Sequence, residues 1–308
     1  MSSNDESLSL IQSAFFLAGP TAVGKTDVAL AVAAACNGEI VGADAFQVYQ
    51  GLNILTAKPS SEAMARVPHH LVGTIPLSVS FNVARYREAA LSAIADIRGR
   101  GRLPIVVGGT GLYLRALIRG LSDVPPASPE LRAELAATPL PELLAQLESL
   151  DPQAAAVIDI KNPRRVLRAL EVCLVTGKPF SSFRKEWESE PVFHGVLLER
   201  SREELYERIE RRTRAMFELG VVEEVRAALA QGGVSSTAQQ VIGWREITAL
   251  LCGELSQAEA IASIQQATRR YAKRQMTWFR REPLLVPVSV TADLSPILER
   301  AKALYCAA

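Results

Sequence analysis

Eight residues near the start restrict the fold more than any other part of the chain. Gly19-Pro20-Thr21-Ala22-Val23-Gly24-Lys25-Thr26 is a complete G-x-x-x-x-G-K-[ST] loop. Glycines let such a loop curl until its N–H groups converge on phosphate oxygens, and the helix that follows adds partial positive charge at its first turn. The loop therefore needs a strand before it and a helix after it. Both are legible: Ala14 to Ala18 is a short apolar run that stops at glycine and proline, and Asp27 to Cys36 is alanine-rich and helical. Lys25 can reach a terminal phosphate, and the Thr26 hydroxyl can ligate Mg²⁺. The motif leaves open which phosphate compound binds.

Alternation of strands and helices extends this start into a P-loop parallel α/β sheet core flanked by helices, with its ligand at the carboxyl ends of the strands. A second strand spans Glu39 to Ala43, and Asn82 can cap a helix from Val83 to Arg98. Leu103 to Val107 is a third strand, followed by the glycine-rich turn Gly108-Gly109-Thr110-Gly111 and a helix from Leu112. At the proline-rich joint Val124 to Pro129 the pattern turns helical and strand-poor, until Val192 to Leu198 re-enters the sheet. Residues 122–191 thus read as a helical insertion domain, and 1–121 with 192–308 as the α/β core with its carboxyl-terminal helices. The stretch from Arg202 to Arg226 mixes both signs and reads as a solvated amphipathic helix; a last strand is expected at Leu284 to Val290.

Bulk properties exclude several classes. Of 308 residues, 48% are apolar and 22% charged, enough for a sizeable core and too hydrophobic for a disordered chain beyond about the first ten residues. Cys36, Cys173, Cys252 and Cys306 lack disulfide-scaffold or metal-finger spacing. The start, MSSNDESLSL, shows no signal or transit pattern, and no apolar run approaches membrane-spanning length. A cytoplasmic, monomeric protein is expected, without membrane association. The net charge of +1 requires any nucleic-acid surface to be local.

Asp44 ends the second strand, which in such a sheet brings it toward the phosphate loop. A carboxylate there can deprotonate an attacking group, help hold Mg²⁺, or merely form a turn. The third strand ends without the acid that ATPases and kinases use for Mg²⁺. A small-molecule kinase with ATP in the loop, and an ATP-dependent RNA-binding protein, nonetheless remain as readings of the nucleotide-binding motif.

The ordered words GPTAVGKT, DAFQVYQGLNILTAKP, PHHL, VGGTGLYL, NPRRVLRALEV, IGWRE and ATRRYAKRQMTWFR resemble the tRNA dimethylallyltransferase (tRNA isopentenyltransferase) family, bacterial type, from Phe15 to Arg281. The resemblance implies that the loop grips dimethylallyl diphosphate instead of ATP. It implies Asp44 as general base toward N6 of the adenosine 3′ to the anticodon, with Lys25 and Thr26 beside it and Mg²⁺ on Thr26. Arg208 and Arg212 match the family's RI-x-x-R pattern, and one of them is expected to clamp the diphosphate. Asp44, Ala45, Phe46, Gln47, Thr110, Gly243 and Arg245 are the positions it turns toward tRNA. Four positions depart from the family pattern: Ala45 and Phe46 stand where serine and methionine are common, Leu55 where glycine is usual, and Trp244 where tyrosine is usual.

Two basic elements fit an RNA partner. Between Ala267 and Arg281, Arg270, Lys273, Arg274 and Arg281 share a helical face, while Ile264, Tyr271 and Trp278 line another that reads as core. A basic face in a nearly neutral protein suits a phosphate backbone, here the anticodon stem-loop of tRNA. Asn162-Pro163 reads as an N-cap and first helical residue, which places Arg164 and Arg165 where the helix dipole disfavours cations. With Arg168 they resemble the family's tRNA-contacting segment. Surface arginines without a role remain the alternative. His69-His70 is expected to serve local structure, since no third metal ligand is near.

Overall fold

The computed structural model describes residues 3–121, 124–125, 127–183, 193–281, 285–291 and 293–307. Six strands form one parallel sheet: β1 Phe15–Ala18, β2 Gly38–Ala43, β3 His69–His70, β4 Leu103–Gly108, β5 His194–Glu199 and β6 Val286–Ser289, in the order β3-β2-β4-β1-β5-β6. The phosphate-loop strand β1 thus lies inside the sheet, and its residues are all buried. Both faces are covered, as parallel sheets require. Phe16 and Ala18 point into one apolar layer, and Phe15 and Leu17 into the other, the alternation a pleated strand dictates.

Helices α1 Ser3–Gln12, α2 Lys25–Ala35, α3 Ser61–Arg66, α4 Val83–Gly99 and α5 Gly111–Arg119 belong to the first half. Val28, Ala29 and Val32 of α2 pack with Phe15 and Leu17, and Tyr86, Ile94 and Leu114 of α4 and α5 with Phe16. Asn82 caps α4 by accepting the Arg85 N–H. The amino-terminal residues, expected to lie outside the ordered core, form α1, because Ile11 finds a place in the apolar layer and is buried. The two-residue strand β3 is too short for period-based reading.

The chain divides into two compact units, Met1–Gly120 with Pro191–Ala308, and Leu121–Glu190. The second is helical, with α6 Pro129–Ala137, α7 Leu140–Leu150, α8 Pro152–Val157 and α9 Pro163–Thr176 around Leu135, Leu143, Leu147, Val166 and Leu170. Asn162 caps α9 and Pro163 is its first residue, as the sequence predicts.

In the first unit the mixed-charge stretch is two helices, α10 Arg202–Glu218 and α11 Val221–Gln231, not one. Gly220, at φ 91°, breaks them in a left-handed conformation that favours glycine. Then follow α12 Trp244–Leu251, α13 Gln257–Arg281 and α14 Ser295–Ala307. The strand expected from Leu284 is confined to β6; Leu284 and Val192 lie outside the described residues. Among the described residues no helix is long and apolar enough to cross a membrane.

Candidate active site at the carboxyl ends of the strands

Three neighbouring strands deliver three loops to one place. Ala18 pairs with Gly108, and Gly108 with Ala43, so the phosphate loop, the Asp44 loop and the Gly109-Thr110 turn begin side by side. A side chain at Gly108 would meet the Ala43 carbonyl at 2.1 Å, so the approach of β2 and β4 here requires glycine.

The phosphate loop is held from several directions. Gly24 sits at φ 106° at the N-terminus of α2, whose free N–H groups favour an anion. Lys25 Nζ donates to the carbonyls of Gly19 at 2.9 Å and Pro20 at 2.8 Å. Three arginines grip successive residues: Arg212 donates to Thr21 Oγ1 at 2.9 Å, Arg208 to the Ala22 carbonyl at 2.7 Å, and Arg200 to the Val23 carbonyl at 2.9 Å. Four cations thus converge on one loop, a standing positive potential for a polyanion. Arg208 and Arg212 are therefore at the loop, together with Arg200, which the sequence reading did not single out.

Asp44 faces these cations. Its Oδ1 accepts the N–H groups of Phe46 at 2.9 Å and Gln47 at 3.3 Å, a short loop that aims the carboxyl group. Burial pulls the Lys25 ammonium down to about 8, against Asp44, which holds it up, and with Arg212, which lowers it further. The same acid counteracts the burial that lowers Arg212. Arg212 Nε is buried and unpartnered. Asp44, Arg212, Thr21, Leu55, Thr56 and Tyr271 line a cavity of about 60 Å³, with Met216 and Ile264 among its apolar walls.

Thr110 Oγ1 accepts the Ala45 N–H at 3.0 Å, joining the glycine-rich turn to the Asp44 loop. Gln47 donates to the carbonyls of Thr56 at 3.1 Å and Ala57 at 2.9 Å. The Leu55 departure is accommodated in place: Leu55 is buried beside Gly243, where an added Cβ would come within 2.7 Å of Leu55 Cδ1. Trp244 is buried behind it, and Arg245 is exposed on the first turn of α12.

Helix α13 turns two chemistries outward and inward. Arg270, Lys273, Arg274 and Arg281 are exposed, with the Arg274 guanidinium 5.7 Å from the Tyr271 ring centre. Tyr271, expected in the core, instead reaches the Asp44 cavity, where burial and the Asp44 charge raise its phenol and its hydroxyl lies by Thr110 and Gln275. Gln275 is buried and bridges two loops: it accepts the Thr21 N–H and donates to the Gly109 carbonyl, both at 2.8 Å. A signal for it existed, since Thr268 and Gln275 are polar positions on the buried stripe of Ile264 and Phe279.

In the helical unit, Arg164 and Arg165 are exposed in the first turn of α9. Arg168 is 3.3 Å from the buried Glu171, which also binds Arg132 at 2.7 Å. His70 pairs with the buried Glu39 at 2.7 Å, and the His69 ring bonds the Val67 carbonyl, so both histidines serve local structure.

The IPP transferase family model matches residues 47–282. Among curated proteins, the chain is 49% identical over 270 residues to "tRNA dimethylallyltransferase 1" of Citrifermentans bemidjiense, covering 86% of this chain and 88% of that one. It is 46% identical to the tRNA dimethylallyltransferase of Myxococcus xanthus, over 87% of this chain and 89% of that one. Among solved structures, the full-length tRNA isopentenylpyrophosphate transferase of Bacillus halodurans superposes with a TM-score of 0.67 at 37% identity, covering 95% and 99% of the two chains. A eukaryotic dimethylallyltransferase acting on tRNA gives a TM-score of 0.79 at 28% identity, covering 94% of this chain and 76% of that one.

Proposed function

The chain belongs to the IPP transferase family, the tRNA dimethylallyltransferases, and from that premise we propose that it transfers a dimethylallyl group from its diphosphate to N6 of the adenosine 3′ to the anticodon in tRNA. One observation carries the reading: Asp44 and Arg212 line a single cavity, and Lys25 lies close enough to feel both charges, so a proton acceptor and an anion seat meet at one centre.

N6 attacks C1 of the dimethylallyl group, the N6–C1 bond forms, and the C1–O bond breaks with its electron pair leaving on diphosphate. The N6 proton passes to Asp44, whose Oδ1 is anchored by two backbone N–H groups, which leaves Oδ2 to take it. Lys25, Arg208 and Arg212 take up the charge that grows on the leaving group. Thr26, in the first turn of α2, fits Mg²⁺, which binds through one or two protein oxygens plus phosphate and water. When bound, the ion would neutralise diphosphate charge. Among the described residues no cluster of acids, histidines or cysteines could hold a metal alone, so the substrate oxygens would complete the site.

An adenosine inside a stacked loop is out of reach until it is extruded. Gln47 and Thr110 border the Asp44 loop, and Arg270, Lys273 and Arg274 offer an exposed basic face for the anticodon stem-loop. Arg245 and, on the helical unit, Arg164 and Arg165 are further exposed cations suited to phosphates. The test is transfer of label from dimethylallyl diphosphate to unmodified tRNA with Mg²⁺, with AMP and ATP as parallel controls. Label on a tRNA adenosine without ATP is expected. ATP turnover without such transfer would replace this reading with a kinase or ATPase.

A further inference from the structure

Leu55 and Thr56 form part of the wall of the Asp44 cavity, in a segment without regular structure. That segment is tied largely to itself. Thr56 Oγ1 donates to the Leu52 carbonyl at 2.5 Å, Lys58 Nζ donates to the Tyr49 carbonyl and to Asn53 Oδ1, and Gln47 holds the carbonyls of Thr56 and Ala57. Ala57 sits at φ 50°, a left-handed conformation that an alanine adopts only when its surroundings impose it.

One side chain reaches the segment from some 170 residues away in sequence. Glu224, in the first turn of α11, accepts three consecutive backbone N–H groups. Its Oε1 takes those of Asn53 at 2.6 Å and Ile54 at 2.8 Å, and its Oε2 those of Ile54 at 3.1 Å and Leu55 at 2.8 Å. A single carboxylate caging three amides leaves little freedom of position or tilt, and charged acceptors make the stronger hydrogen bonds. The grip falls on Leu55 itself, the residue immediately before Thr56.

We propose that Glu224 is a positioning residue for the transfer reaction: by fixing Asn53, Ile54 and Leu55 it sets the wall of the cavity against which the adenosine is held toward Asp44. The assignment rests on the proposed function. Glu224 touches none of the reacting groups and acts through the Leu55–Thr56 wall, which Gln47 links to the turn carrying Asp44. The phosphate loop is held by other residues, Lys25, Gln275 and the three arginines, so the diphosphate seat does not depend on it.

The test is Glu224→Gln, which keeps the size of the side chain but turns an amide donor toward two of the three N–H groups and leaves one of them without an acceptor. Two readouts are taken on the full chain. Hydrogen–deuterium exchange of the peptide covering residues 52–58 is expected to accelerate. Single-turnover transfer to tRNA is expected to fall on the order of 10–100-fold, the size of effect that a small misplacement produces, with pyrophosphate affinity within twofold of the parent. Glu224→Asp, whose carboxylate recedes by one methylene, should recover part of the rate and carries the test if the glutamine variant does not fold. Unchanged exchange, or faster exchange with an unchanged rate, would overturn the assignment, as would a loss of pyrophosphate affinity in step with the rate. Failure of the parent protein to transfer at all would instead strike the proposed function.

Discussion

Asp44 and Lys25 divide the chemistry of the site between them, and each can be tested alone. Asp44→Asn keeps an oxygen to accept the Phe46 and Gln47 N–H groups but cannot take a proton. Single-turnover transfer should drop by roughly 10²–10⁴, while pyrophosphate affinity stays within a few-fold. A variant that still transfers within tenfold of the parent would remove Asp44 from proton transfer. Lys25 gives a pH signature. Burial holds its ammonium at about 8 with Asp44 opposing, so it is a cation at neutral pH and loses that charge as the pH rises through about 8. A bound anion stabilises the charged form, so the free protein loses affinity on deprotonation. Pyrophosphate affinity should hold below pH 8 and then weaken by up to about tenfold per pH unit, whereas Lys25→Met should bind weakly and without that step. A step of equal size in the Lys25→Met protein would assign it to another group.

Helix α13 links the residues of the site to a surface. Its buried side carries Thr268 and Gln275, with Tyr271 reaching the cavity, and its exposed side carries Arg270 and Lys273. The two faces make separable predictions. Arg269 is paired with Glu210 at 3.0 Å and Arg274 lies over Tyr271, so changes there would disturb packing as well as charge. Arg270→Ala with Lys273→Ala avoids both. Each phosphate contact removed takes roughly 0.7–0.9 from the slope of log K against log salt, so the double variant should flatten the slope for tRNA by about 1.5 and leave pyrophosphate affinity alone. An unaltered slope would place the RNA-binding face on another element.

The stability of the first unit depends on a charge far from the chemistry. Glu39, buried at the start of β2, joins His70 on β3 to Arg100 and Arg102 beyond the end of α4, at 2.7–2.9 Å. Burial pushes its carboxyl up, but hydrogen bonds from His70 and Arg100 outweigh that and leave it below its ordinary value of 4.5. A lowered folded-state value means that the stabilisation is complete above the unfolded value and is lost as the pH falls through the folded one. Thermal stability should therefore decline below about pH 4.5. Glu39→Gln should cost roughly 1–3 kcal/mol at pH 7 and shrink that decline. An acid profile of the same shape in the variant would show that other carboxylates set it.

Local chemistry made much of this protein readable from its sequence. The phosphate loop needs particular residues at fixed spacing, so Gly19 to Thr26 announced a strand, a helix and an anion seat together. Asn82 and Asn162 announced helix starts because a cap is a contact within one turn. Asp44 was legible because strand ends converge in a parallel sheet. Contacts between elements remote in the chain leave no such pattern. Gly220 gives no sign of a break because charge continues across it, and Tyr271 reads as core because periodicity gives a face without saying what the face meets. Arg200 looks like any other charge at a strand end, and Glu224 like any other on a mixed-sign stretch. Only the tertiary fold decided that Arg200, just after β5, grips the phosphate loop and that Glu224, on α11, grips the Leu55 wall of the Asp44 cavity. Spacing determines what neighbours along the chain can do; for hydrogen bonds spanning some 170 residues, the tertiary fold alone selects the partner.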